Sequence, residues 1–168
     1  MPGTGRAVEC ALEAIPAEFD GAVVVTSGDV PMLDVATLEN LIDAHLESGA
    51  AATMLTAVLE DPHGYGRIIR NSAGAFLEII EELDATDAQR NVNEVNAGVY
   101  VFDSKHLRAS LASIGTGNSQ GEKYLTDVAA VLVKAKQKVL AMQVEDNWLV
   151  AGINDRRQLA EVALELNH

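Results

Sequence analysis

The run AVVVTSGDVPML, residues 22–33, constrains the fold more than any other stretch. From Ala22 to Ser27 it is nearly continuous apolar. That is the composition of a strand covered on both faces in a parallel sheet, which loses the inside–outside alternation of a half-exposed strand. Gly28 then admits a tight turn, and Pro31 cannot continue a central strand. DVATLENLIDAHLESG follows as a helix, with Asp34 as N-cap and Gly49 as its stop. AATMLTAVL reads as the next buried strand. Strand, helix and strand in this order make one βαβ unit and predict an α/β protein.

The texture changes after that unit. GRIIR and AFLEIIEE flank NSAG, the pattern of a hairpin. EVNAGVYVFD is another strand, and SKHLRASLASI a helix capped by Asp103 or Ser104. The polar, glycine-rich GTGNSQGE reads as loop. YLTDVAAVLVKA is an apolar helix, KVLAMQV a short strand, and NDRRQLAEVALELN a closing amphipathic helix. TGRAVECALEAI near the start is helical to Ile15. No linker or repeat divides the chain, so residues 1–168 read as one domain. The expected architecture is a mostly parallel α/β sheet with AVVVTS at its centre, helices on both faces and a β-hairpin insertion.

Charge narrows the function. Asp plus Glu number 25 against 12 Lys plus Arg, a formal net charge of −13. A polyanion would be repelled, which argues against nucleic-acid binding. A small phosphorylated ligand remains compatible if Mg²⁺ offsets the local charge. Aromatics are 4% of the chain, so the core must be packed with aliphatic side chains. The single cysteine, Cys10, excludes an intrachain disulfide and reads as a semi-buried structural thiol on a helix. No run approaches the roughly 20 apolar residues of a membrane helix. MPGTGRAV has no apolar core of a signal peptide, and the expectation is a cytoplasmic protein.

Several residues invite chemistry. Gly3 and Gly5 around Thr4 precede a helix, the arrangement of an anion-binding turn. Ser27, Gly28 and Asp29 lie at the carboxyl end of the first strand, where open α/β sheets bind ligands. Asp29 is placed there to ligate Mg²⁺, or else to hydrogen-bond the turn before Pro31. Gly64 and Gly66 flank Tyr65, suiting either close backbone approach or an ordinary turn. His63 reads as a loop histidine. Asn96 precedes a buried strand, where its carboxamide reads a sugar hydroxyl or caps a turn. Glu81 ends a strand, placed for ligand hydroxyls or for solvent, and Glu82 beside it looks like surface. Asn154 either caps the last helix or turns its oxygen to a cation. No Ser–His–Asp or Cys–His arrangement is visible, and phosphoryl or nucleotidyl transfer needs none.

Taken in order, GTGRAV, GDVPML, EDPHGYGRI, EELDAT, EVNAGVYVFD, NSQGEKYLTD and VAGINDRRQLAE resemble one family. It is the uridyltransferase domain of the bacterial bifunctional N-acetylglucosamine-1-phosphate uridyltransferase / glucosamine-1-phosphate acetyltransferases. The resemblance implies a Rossmann-like nucleotidyltransferase sheet. It also implies a Mg²⁺-dependent reaction in which UTP and N-acetylglucosamine 1-phosphate give UDP-N-acetylglucosamine and pyrophosphate. By the same resemblance Gly3 and Thr4 contact the uracil side and Asp29 binds the metal, with Ser27 and Gly28 just before it counted among the substrate-binding residues. Gly66, Glu81 and Asn96 surround the N-acetylglucosamine, and Asn154 is the second metal ligand. The family's L-A-A-G-x-G-T-R-M signature, its nearby lysine and its base-reading glutamine do not occur in the chain. Arg6 stands where a histidine is usual. The resemblance therefore covers the later two thirds of that domain, without its first strand and triphosphate loop. It implies impaired transfer by this chain alone, and self-association through the face that segment would cover. The alternatives are a non-catalytic fragment with weak sugar-nucleotide binding and another sugar-1-phosphate nucleotidyltransferase.

Overall fold

The computed structural model describes residues 8, 10–16, 18–26, 35–114 and 126–144. Six strands form one sheet: β1 (Ala22–Thr26), β2 (Ala52–Val58), β3 (Arg67–Arg70), β4 (Phe76–Ile80), β5 (Glu94–Asp103) and β6 (Val139–Gln143). Among the described residues four helices have full bounds, α1 (Val35–Ser48), α2 (Asp87–Arg90), α3 (Ser104–Ser113) and α4 (Thr126–Lys134), and residues 8 and 10–12 are also helical. The strand order is β4-β3-β5-β2-β6, and β1 pairs with β5 as well.

Helices cover both faces, as expected for the α/β class, and the strand parity shows why. On β2, Met54 packs to one side while Leu55 and Ala57 pack to the other. On β5, Tyr100 and Phe102 face the first side, and Val95, Ala97, Val99 and Val101 the second. Leu107 and Leu111 of α3 and Val128 and Leu132 of α4 close the first layer; Leu41 of α1 closes the second. Fully burying one such Leu stabilises the fold by about 2 kcal/mol, and the scarcity of aromatics is met by many aliphatic contacts. Tyr100 and Phe102, two residues apart on one strand face, stack with ring centroids at 5.5 Å.

Strand directions correct one expectation. β5 runs antiparallel to β1, β2 and β3; β3 and β4 are antiparallel, and β2–β6 is the parallel pair. Four strands, β1, β2, β3 and β6, still point the same way. The mostly parallel pairing is lost because β5 enters the sheet from the opposite end and lies between β2 and β3. A strand covered on both faces is a run of apolar residues in either direction, so the pattern carries no sign of which way it runs. The expected centrality of AVVVTS is corrected too. Among the described residues β1 pairs only with β5, its burial alternates, and Val24 is 39% exposed. Cys10, expected semi-buried, is exposed.

Local chemistry accounts for the element ends. Gly49 stops α1 with φ +69°, a conformation that costs a side-chain residue far more than glycine. Asn71 builds the hairpin turn: its Oδ1 accepts from the amides of Ala73 and Ala75 at 2.9 and 3.0 Å, and Gly74 takes φ +85°. Asp103 caps α3, accepting from the His106 amide at 3.1 Å. Thr86 and Gln89 form a capping box on α2. The β2–β5 register shifts between Met54 and Thr56, which face Tyr100 and Asn96. β5 thus carries two extra residues there. Gly98, with φ +79°, makes the bend, and Asn96 Oδ1 accepts the Gly98 amide at 3.0 Å. The N-A-G triplet is a β-bulge that satisfies its own freed donor, a device common beside active sites.

Candidate functional site

Three of the residues singled out from sequence come together where β3, β4 and β5 meet. Gly66 precedes β3, Glu81 follows β4, and Asn96 lies near the start of β5. The Asn96 amide donates to the Gly66 carbonyl at 2.9 Å. A Cβ on Gly66 would stand 3.3 Å from Glu81 Oε2 and 3.0 Å from Ile79 Cγ2. Gly66 is therefore required for close approach: without a side chain, it lets the Glu81 carboxylate lie against the backbone.

Asn96 is held in one orientation. Its Oδ1 is fixed by the Gly98 amide, so the other end is Nδ2, which donates to Tyr100 Oη at 2.5 Å. Tyr100 is buried, and burial pushes its phenol well above the ordinary tyrosine range. The phenol stays neutral and acts as a fixed dipole beneath Asn96. Sequence reading passed over Tyr100, which looks like any aromatic on a core strand; its offset of four from Asn96 was the available signal.

Glu81 is neither free nor simply solvated. Its Oε1 accepts from Thr126 Oγ1 at 3.0 Å, at the start of α4. Burial raises its pKa above the ordinary range, against the lowering effect of the Thr126 bond; Asp127 and Asp84 raise it further. Asp127 is raised by burial, then by Asp84 and Glu78. Burial thus outweighs the lowering effect of Thr126 at Glu81 and of Lys134 at Asp127.

Glu82 was read as surface, and the structure corrects this. Its side chain is 18% exposed and pairs with Arg67 Nη1 at 2.7 Å. It also accepts the Gly64 amide at 2.8 Å. The Arg67 bond, chiefly, holds its pKa below the ordinary carboxylate range. Gly64 adopts φ +88° with open space around it, so here glycine serves the turn. His63 lies 3.4 Å from Glu82 with its side chain 84% exposed, a loop residue as expected.

Gly3, Thr4, Ser27, Gly28, Asp29 and Asn154 lie outside the described residues, as does Arg6. The last described residue of β1, Thr26, pairs with Val99, three positions from Asn96. β1 thus runs toward the end of the sheet where the Gly66–Glu81–Asn96 cluster stands. Among the described residues no cluster of three His, Cys, Asp or Glu side chains is arranged to hold a metal. None of their helices is long and apolar enough to cross a membrane.

Comparison with known proteins agrees with the motif set. A family model described as nucleotidyl transferase matches residues 1–156. The chain is similar to the bifunctional protein GlmU of Clavibacter sepedonicus, 57% identical over 167 residues, covering 99% of this chain and 34% of that protein. It is 54% identical over 167 residues to the bifunctional protein GlmU of Leifsonia xyli subsp. xyli, again 99% of this chain and 34% of the relative. The bifunctional protein GlmU of Kineococcus radiotolerans is 52% identical over the same coverage. The chain spans about a third of the length of the curated relatives it matches.

Proposed function

Because the chain belongs to the nucleotidyl transferase family, we propose that it serves the transfer of uridylyl from UTP to N-acetylglucosamine 1-phosphate, giving UDP-N-acetylglucosamine and pyrophosphate. The observation that carries the sugar side of this reading is the convergence of Gly66, Glu81 and Asn96 from three separate elements. A backbone approach, a carboxylate and an oriented carboxamide are complementary to a ring bearing hydroxyls and an N-acetyl group. Glu81 accepts from hydroxyls; Asn96 keeps one amide proton and one lone pair beyond its internal bonds. Gly3 and Thr4 take the base side of the nucleotide in this reading, with Ser27 and Gly28 beside Asp29.

Asp29 and Asn154 supply a carboxylate and a carboxamide oxygen, a donor set that suits Mg²⁺. Held by these residues, Mg²⁺ would supply charge stabilisation to the phosphoryl group being transferred. The chain's own groups hold the sugar phosphate in line with the nucleotide, and Glu81 and Asn96 limit its rotation. The leaving pyrophosphate needs further donors. The reading goes with a cytoplasmic site of action, and self-association is its remaining open partner, accessible to sedimentation.

The test is calorimetric titration of the chain with N-acetylglucosamine 1-phosphate, alongside Glu81→Gln and Asn96→Ala. Saturable binding that either variant weakens about tenfold or more supports the reading, the scale expected when a buried polar partner is lost. Binding that both variants leave unchanged overturns it.

A further inference from the structure

Arg67 is 2% exposed, the largest fully buried side chain among the described residues, and nothing in the transfer reaction as read above uses it. A buried guanidinium is costly unless every donor finds an acceptor. Here Nη1 donates to the Tyr65 carbonyl and to Glu82 Oε2 at 2.7 Å. Nε and Nη2 both donate to the Arg90 carbonyl, at 3.3 and 3.2 Å. The connection is reciprocal, since Arg90 Nε donates to the Glu82 carbonyl at 3.3 Å. Glu82 completes the knot by accepting from Gly64. One side chain thus ties together the turn before β3, the 3₁₀ turn Glu82–Asp84 and the end of α2.

The sequence neighbours of this pair are the candidate sugar residues. Arg67 follows Gly66, and Glu82 follows Glu81. In the hairpin register Arg67 faces Ile80, so Gly66 and Glu81 lie one step beyond the last ladder pair. The β3–β4 ladder does not pair these two residues, although Gly66 is tied to β5 through the Asn96 amide and Glu81 to α4 through Thr126. The diagonal reach from Arg67 to Glu82, two residues past Ile80, continues the hairpin in side chains where the backbone ladder ends.

We propose that Arg67 is a positioning residue for the sugar-phosphate subsite: paired with Glu82, it holds Gly66 and Glu81 in contact beyond the end of the β3–β4 ladder without touching the ligand. This rests on the reading of Gly66, Glu81 and Asn96 as the sugar side. Lysine cannot replace Arg67, because an ammonium has no planar fork to reach three carbonyl and carboxylate groups in different directions. Arg70 supplies an internal comparison. It forms an equally close pair with Glu94, at 2.7 and 2.8 Å, on the other end of β3. Loss of that pair removes a salt bridge between β3 and β5 without loosening Gly66 or Glu81.

The experiment compares Arg67→Lys, Glu82→Gln, the double variant and Arg70→Lys in the full chain. Amide resonances of Gly66, Glu81 and Asn96 are read without ligand, and affinity for N-acetylglucosamine 1-phosphate is read by calorimetry. Arg67→Lys and Glu82→Gln should each shift the Gly66 and Glu81 resonances and weaken binding about tenfold or more, the cost of displaced binding groups. The double variant should be little worse than either single one, because both break one pair. Arg70→Lys should leave resonances and affinity as they are. If Arg67→Lys fails to fold, Glu82→Gln carries the same test at a partly exposed position. Unmoved resonances with unchanged affinity in Glu82→Gln overturn the proposal, and so does an equal effect of Arg70→Lys. A wild-type chain that does not bind the sugar phosphate overturns the subsite reading instead, and the resonances alone then decide whether the pair holds Gly66 against Glu81.

Discussion

Glu81 and Glu82 are consecutive in sequence, yet their carboxylates are drawn to different partners and shifted in opposite directions. Glu81 accepts from Thr126 at 3.0 Å and burial raises its pKa; Glu82 accepts from Arg67 at 2.7 Å and that bond lowers its pKa. Both start from an ordinary value of 4.5. Below that value Glu81 is protonated whether folded or unfolded, and its burial costs nothing; stability is lost as pH rises through its raised folded value. Glu82 behaves in reverse: its contribution is present above the ordinary value and is lost as pH falls through the lowered one. Urea unfolding at several pH values should therefore show Glu81→Gln more stable than wild type at neutral pH, and Glu82→Gln less stable. Both differences should shrink in acid. The same sign for the two variants at neutral pH would contradict this pairing.

Gly66→Ala places a methyl group 3.0 Å from Ile79 and 3.3 Å from the Glu81 carboxylate. Ile79 is buried and cannot retreat freely, so the carboxylate moves. We expect a loss of about 1–2 kcal/mol in unfolding free energy, the range for one extra methyl in a packed site. Affinity for N-acetylglucosamine 1-phosphate should fall with it. Gly64→Ala, where the space is open and the strain lies in the backbone, should cost stability with a smaller effect on binding. Equal effects on binding would remove the distinction.

Tyr100→Phe keeps the ring stacked on Phe102 and removes the acceptor of Asn96 Nδ2. The Gly98 amide still holds Oδ1, but the half-buried Nδ2 loses its partner on the strand. About 1 kcal/mol of stability should be lost, the usual cost of one internal hydrogen bond. Binding of the sugar phosphate should weaken because the carboxamide can now tilt. Unchanged affinity would show that Gly98 alone orients Asn96.

Metal binding should depend on the nucleotide sugar. Two protein oxygens retain Mg²⁺ poorly, since the ion keeps its waters until phosphates join. Mg²⁺ alone should give little heat on titration, and its affinity should rise with UDP-N-acetylglucosamine present. Asp29→Ala should abolish the rise. Tight binding of Mg²⁺ without the sugar nucleotide, or an unaltered rise in Asp29→Ala, would refute the assignment.

Features under short-range control were legible in the residues alone. Gly49 ends its helix, NSAG turns a hairpin, and Asp103 caps a helix because each outcome depends on a few neighbouring atoms. EVNAGVYVFD coincides with β5 because its apolar pattern spans the strand. The ordered motifs also carried the family resemblance. Direction and partnership were decided by the tertiary structure alone. Nothing local says that β5 runs against its neighbours, since a doubly covered strand has the same composition either way. Nothing local separates Glu81 from Glu82, because two adjacent acids are alike until Thr126 and Arg67 arrive, 45 and 15 residues away. Arg67 reads as a charged residue in a strand. Only packing from three segments turns it into a buried anchor, because the acceptors that offset its desolvation lie on chain stretches that meet in the folded state.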